Sequence, residues 1–165
     1  MGVDAQLISD QRVWPRRVTP GVNRGYQPGT LTPNGRLAKC TAACGPVVYR
    51  GDQFPAEFKG DVFACEPSAN LIRRFKVQEA DGVLTARNAY DEAEFLTSTD
   101  ERFRPVNLAN GPDGALYVVD IARGILAGAK AVQMHDSPTA AKRAGILTHF
   151  VPGHIRPGLS AGGII

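Results

Sequence analysis

The chain has 165 residues, 43% of them hydrophobic and 21% charged, with a formal net charge of +3. That length suits one domain. The mild charge, with its 14 arginines and 5 lysines scattered along the chain, gives no electrostatic footprint for nucleic acid, and no run of about 18 apolar residues is present to span a membrane. The 18 glycines and 12 prolines exceed average usage, which favours short elements joined by turns over long helices.

Residues 1–20 read as irregular. They lack the basic-then-apolar pattern of a signal peptide, so the chain taken alone is expected to be cytosolic. Trp14-Pro15 and Thr19-Pro20 force extended backbone, and Trp14 is the expected anchor of this segment on a core. Val22 to Gly29 is a turn-rich loop, either ligand-facing or pinned by its own hydrogen bonds. Pro33-Asn34-Gly35-Arg36 makes a tight turn between Thr30-Leu31 and Leu37-Ala38.

Short apolar runs then follow one another. Gly45 to Tyr49 reads as a strand, and Phe54, Pro55 and Phe58 as a small plug beneath the next loop. Val62 to Glu66 is a buried-type run ending in an acid. Leu71 to Val77 alternates as a strand with one covered face, and Ala80-Asp81-Gly82 turns it into Val83 to Ala86. Asn88 to Leu96, with Asp91, Glu92 and Glu94, is expected at the surface.

The clearest signal is the hairpin that follows. Pro105 to Ala109 and Ala115 to Val119 flank Gly111-Pro112-Asp113-Gly114. It echoes the earlier pair of runs, since each pair starts near a proline and closes on an acid, Glu66 or Asp120. Short strands at spacings of about 8–12 residues predict an all-β sandwich, barrel or propeller, and the echo favours a propeller.

Beyond Gly124 the composition shifts to alanine and glycine. Ser137 to Ala144 reads as a short helix with Pro138 in its first turn, and residues 151–165 as a loose tail. His135, His149 and His154 have no metal-site spacing, so no metal is expected. Cys40, Cys44 and Cys65 form an odd set without a Cys-x-x-Cys pair and without a haem-attachment site. They read as structural thiols, with a disulfide or a reactive thiol as the alternative.

Several motifs carry a resemblance. They are Trp14-Pro15, Arg17 to Pro28, Thr41 to Pro46, Arg50-Gly51-Asp52, Cys65 to Leu71, Glu94 to Asn107 and Gly111 to Asp120. Together they resemble the membrane-bound dehydrogenase domain, the planctomycete-type β-propeller of large secreted, haem-binding multidomain proteins. That domain is similar to the glucose/sorbosone dehydrogenase propellers. The resemblance implies a partial propeller over 1–124, of about two to three blades, and a divergent tail over 125–165. It implies a periplasmic or extracellular full-length protein that oxidises a sugar or aldehyde with pyrroloquinoline quinone and Ca²⁺. A chain of this length would then be catalytically incomplete alone and prone to self-association through open sheet edges.

The resemblance also nominates residues. In propellers the inner strands and their loops line the central tunnel, and Arg102, Arg104 and Asn107 fall at or near such a strand. Arg104 would hold a cofactor carboxylate with its planar guanidinium. Asp100 and Glu101 would orient the arginines or accept a sugar hydroxyl, and Glu66 and Asp120 would ligate a cation or cap a turn. The alternative for this cluster is a solvated charged loop with Arg104 paired structurally to Glu101 or Asp120. No nucleophile–base set is visible, so catalytic residues remain unassigned. Three readings follow: a fragment of a quinone-dependent dehydrogenase, a non-enzymatic propeller that binds a glycan or protein, and a non-functional remnant.

Overall fold

A computed structural model describes residues 11–19, 28–122 and 147–150. Within them the fold is all-β and antiparallel, and the only helical pieces are 3₁₀ turns at Ala56–Phe58 and Pro67–Ala69. One sheet orders four strands as β1 (Cys44–Val48), β2 (Val62–Glu66), β3 (Leu71–Ala80) and β4 (Val83–Asn88). The two-residue β5 (Leu96–Thr97) pairs with the start of β3. The other sheet runs β6 (Pro105–Asn110), β7 (Leu116–Asp120), β8 (Leu147–Phe150).

Turn chemistry sets the registers. Asp81 and Gly82 both take positive φ, 53° and 76°, which is the two-residue turn that matches strand twist, and Ala80 pairs with Val83 across it. Between β6 and β7 the chain reverses through Gly111 to Ala115, with the Asp113 carboxylate accepting the Ala115 N–H at 3.2 Å. The hairpins expected at 80–83, 105–119 and 33–36 therefore all form, the last closed by the Leu31–Leu37 bridge.

The two sheets meet along β1 and β6. The register slips between Cys44 and Val47, and Gly45 occupies the slip at φ 55°. A Cβ at Gly45 would stand 2.5 Å from Asn107 Cα and 2.6 Å from the Val106 carbonyl oxygen. Only glycine permits that approach. Further along, the Asn110 carboxamide donates to the Val48 carbonyl and accepts the Arg50 N–H, each at 2.9 Å, and so continues the β1 ladder across to β6.

The main core lies between the sheets: Tyr49, Phe54, Phe63, Cys65, Ile72, Phe95, Leu96, Leu108, Leu116 and Val118. Phe63 and Phe95 meet edge-to-face at 4.9 Å, and the expected Phe54–Phe58 plug forms at 5.3 Å. The Tyr49 hydroxyl donates to the Gly114 carbonyl at 2.6 Å and accepts the N–H groups of Gln53 and Phe54. A smaller core on the opposite face of β3 joins Val13, Leu37, Ala69 and Leu71.

Three expectations change. Val13 anchors the N-terminal segment, while Trp14 is half-buried beneath the Arg12 guanidinium, 4.0 Å away. Residues 94–96 are buried: Glu94 pairs with Arg73, Phe95 packs in the main core and Leu96 joins the sheet in β5, although Asp91 and Glu92 stay at the surface. At its centre β3 is covered on both faces, with Arg73 and Arg74 only 1% and 2% exposed. The expected helix over 137–144 and most of the loop over 22–29 lie outside the described residues. Of the expected tail, Leu147–Phe150 is a strand paired with β7. No described helix is long and apolar enough to cross a membrane.

Candidate functional site

The nominated residues cluster on the segment between β5 and β6, and Asn70 organises it. Glu66 begins the 3₁₀ turn as its cap, Pro67 sets the first turn, and Asn70 ends it in the left-handed conformation at φ 56°. Its side chain is fully buried. The amide nitrogen lies 3.2 Å from the carbonyl oxygens of Asp100 and Glu101 and 2.7 Å from that of Phe103. The amide oxygen accepts from Arg17 at 3.2 Å. One carboxamide thus gathers three carbonyls and fixes the path of the loop.

Arg104 is fully buried. Its guanidinium Nη1 donates to the carbonyls of Pro67 at 2.5 Å and Ser68 at 3.3 Å, and its backbone N–H donates to the Asp120 carboxylate at 2.7 Å. Burial first, then the nearby Arg17 charge, hold its pKa below the ordinary value. The side chain ties the 3₁₀ turn of one sheet to the first strand of the other.

The acids at the loop's tip face water. The Asp100 carboxylate accepts the Arg102 N–H at 2.9 Å, and the two side chains lie 3.8 Å apart with 47% and 62% exposure. Glu101, 62% exposed, reaches Arg17 at 3.4 Å. Asn107 stands apart, on β6 against Gly45, where its side-chain oxygen accepts the Leu108 N–H at 2.9 Å. The structure therefore brings Asp100, Glu101 and Arg104 around Asn70, leaves Arg102 at the surface beside Asp100, and places Asn107 at the sheet–sheet contact.

Glu66 and Asp120 act alike. The Glu66 carboxylate accepts the N–H groups of Thr41 and Ala42 at 3.0 Å and of Ser68 at 3.2 Å, and burial raises its pKa despite them. Asp120 accepts the N–H groups of Arg104 and Ala122. Both acids cap the turn after their strand, which realises the turn-capping alternative and the echo between the two hairpins.

One buried and one part-buried ion pair go beyond the sequence reading. Arg73 Nε and Nη2 grip the Glu94 carboxylate at 2.9 and 2.5 Å, and the Trp14 N–H joins Glu94 at 3.0 Å. Arg73 also donates to the backbone carbonyls of Gln11 and Arg12. Arg74 donates to Asp61 at 2.5 Å and to the Glu57 carbonyl at 2.8 Å, and lies 3.5 Å over the Phe58 ring. The adjacent arginines in an apolar run were the available signal, because a strand interior holds such residues only when each meets an acid.

Hollows of about 640 and 290 Å³ run along the Arg12–Arg16 and Thr32–Lys39 segments, and none of the nominated residues lines either. No group of three or more His, Cys, Asp or Glu side chains among the described residues is placed to hold a metal ion.

A family described as a domain of unknown function, DUF7133, matches residues 4–147. The chain belongs to that family. The match runs through both sheets as far as the first residue of β8. Comparison with curated proteins and with solved structures finds no match.

Proposed function

We propose that this member of the DUF7133 family is a wall segment of a β-propeller. In this reading it binds a polyhydroxylated ligand, a sugar or glycan, through the loop from Thr99 to Phe103. The carrying observation is that this loop is rigid beneath and polar above. Asn70 holds three of its backbone carbonyls, while Asp100, Glu101 and Arg102 present two carboxylates and a guanidinium to solvent. Carboxylates and guanidinium groups are the hydrogen-bonding set that vicinal hydroxyls fit. The four-stranded antiparallel meander β1–β4, followed by a second antiparallel sheet whose first strand packs on β1, supports the propeller part of the reading.

The quinone and Ca²⁺ of the similar dehydrogenases are not fitted by the described residues. Arg104 donates to the backbone carbonyls of Pro67 and Ser68, and Glu66 and Asp120 accept turn N–H groups. Oxidation of a sugar or aldehyde would belong to a larger protein of this kind, with this chain contributing the binding loop.

The test is a titration of the full chain with glucose and with cellobiose. It is set beside the double variant Asp100→Asn, Glu101→Gln, whose thermal melting reports that the fold is kept. The reading predicts saturable binding that the double variant weakens at least tenfold at unchanged Tm. Absent binding, or equal binding by both proteins, contradicts it. Dye-linked oxidation of the same sugars by this chain with added pyrroloquinoline quinone would overturn the non-catalytic assignment.

A further inference from the structure

We propose that Cys44 and Cys65 form a cross-strand disulfide that locks β1 to β2, leaving Cys40 as a structural thiol. The two residues are direct partners in the antiparallel register. Opposed residues in such a pair have Cα atoms about 4.5–5.5 Å apart, inside the 4.4–6.8 Å range a disulfide spans. Their side chains point to the same face, since both pack against the main core, Cys65 buried within it and Cys44 at its margin. The β1 register slips only after Cys44, so the bulge at Gly45 leaves this pairing intact.

Cys40 has a different environment. It lies at the margin of the smaller core, on the opposite face of β3 from the core that holds Cys65 and borders Cys44. That separation accounts for the odd cysteine. A bond between Cys40 and Cys44 would draw one of them away from its own core.

The thiols' acidity indicates when the bond forms. Burial raises the pKa of Cys65, with Cys44 and Glu66 adding to it, and burial likewise raises that of Cys44. With their acidity lowered, these thiols exchange slowly in the native state. Oxidation therefore accompanies folding, while the chain is open and its thiols have ordinary acidity. The oxidant is an external disulfide such as oxidised glutathione. The Cys44 thiolate attacks it and releases one thiol. The Cys65 thiolate then attacks the mixed disulfide and releases the second. One protein S–S bond forms, the external S–S bond is reduced to two thiols, and the two protons lost by the cysteines go to those thiols. This inference stands apart from the ligand reading.

The full chain is refolded in a glutathione redox buffer, its remaining thiols are alkylated, and it is digested with trypsin without reduction. Cleavage after Lys39, Arg50, Lys59 and Arg73 yields one peptide with Cys40 and Cys44 and another with Cys65. The proposal predicts these two peptides joined, with one alkylated cysteine in the first. Cys40→Ala keeps the joined species and Cys44→Ala loses it. Closing a loop of this size raises Tm by on the order of 10 °C over the reduced protein. A Cys40–Cys44 bond within one peptide, a joined species that survives Cys44→Ala, or three alkylated cysteines in the refolded wild type would each overturn it.

Discussion

Replacing Glu94 by glutamine probes the main polar contact of the smaller-core face. Arg73 and Glu94 are 1% and 0% exposed, and the guanidinium meets both carboxylate oxygens. Glutamine keeps the shape and one acceptor oxygen. It removes the counter-charge and turns an NH₂ group toward Arg73 or toward the Trp14 N–H. Breaking one partner of a buried pair costs about 3–5 kcal/mol. Arg73 retains the carbonyls of Gln11 and Arg12, which places the expected loss near the lower end, about 3 kcal/mol. With a urea m-value of about 2 kcal/mol/M, the unfolding midpoint should fall by about 1.5 M at unchanged m. Glu101→Gln is the internal control, because its ion pair with Arg17 is largely solvated and contributes about 0–1 kcal/mol. A midpoint shift for Glu94→Gln no larger than that of Glu101→Gln would refute the reasoning.

Gly45→Ala should destabilise by at least about 2 kcal/mol in the same urea assay. Its Cβ meets the backbone of β6 at 2.5 Å and no flexible side chain can yield; a neutral effect would show that the sheets are not in contact there. Glu66 has a raised pKa, so the native state holds its proton more tightly than the unfolded chain. Its contribution is fully present below the ordinary value of 4.5 and declines as pH rises from there through the higher native value. The stability difference between wild type and Glu66→Gln, measured by urea melts from pH 4 upward, should shift against the wild type as pH rises. A difference that moves the other way contradicts the assigned direction. Tyr49→Phe removes a hydroxyl joined to Gly114, Gln53 and Phe54, and should cost about 1–3 kcal/mol. Unchanged melting would show that loop 50–54 is held by packing alone.

What was legible in the sequence is local. Asp81-Gly82 and Gly111-Pro112-Asp113-Gly114 dictate turns through backbone conformations that few other residues accept, so the hairpins and much of their register follow directly. The echo between Glu66 and Asp120 was visible for the same reason, each acid standing where a turn needs an acceptor. The rest depends on partners far along the chain. Arg73 finds Glu94 across 21 residues, and Asn70 finds the Asp100–Phe103 carbonyls across 30 to 33. No periodicity encodes such meetings. Arg104 is another case: residue type and position nominated it for a ligand, and its guanidinium donates to carbonyls of a turn 36 and 37 residues earlier. Trp14 misled through size alone, since the smaller Val13 fits the core while the indole stacks with Arg12.

The most direct test of the account follows the backbone amides by two-dimensional NMR while glucose is added to the full chain. The account predicts progressive shifts confined to Thr99–Phe103 and Asn70, which anchors them, with the β1–β4 ladder unmoved. Shifts absent from that loop, or centred along the Arg12–Arg16 and Thr32–Lys39 hollows, would contradict it.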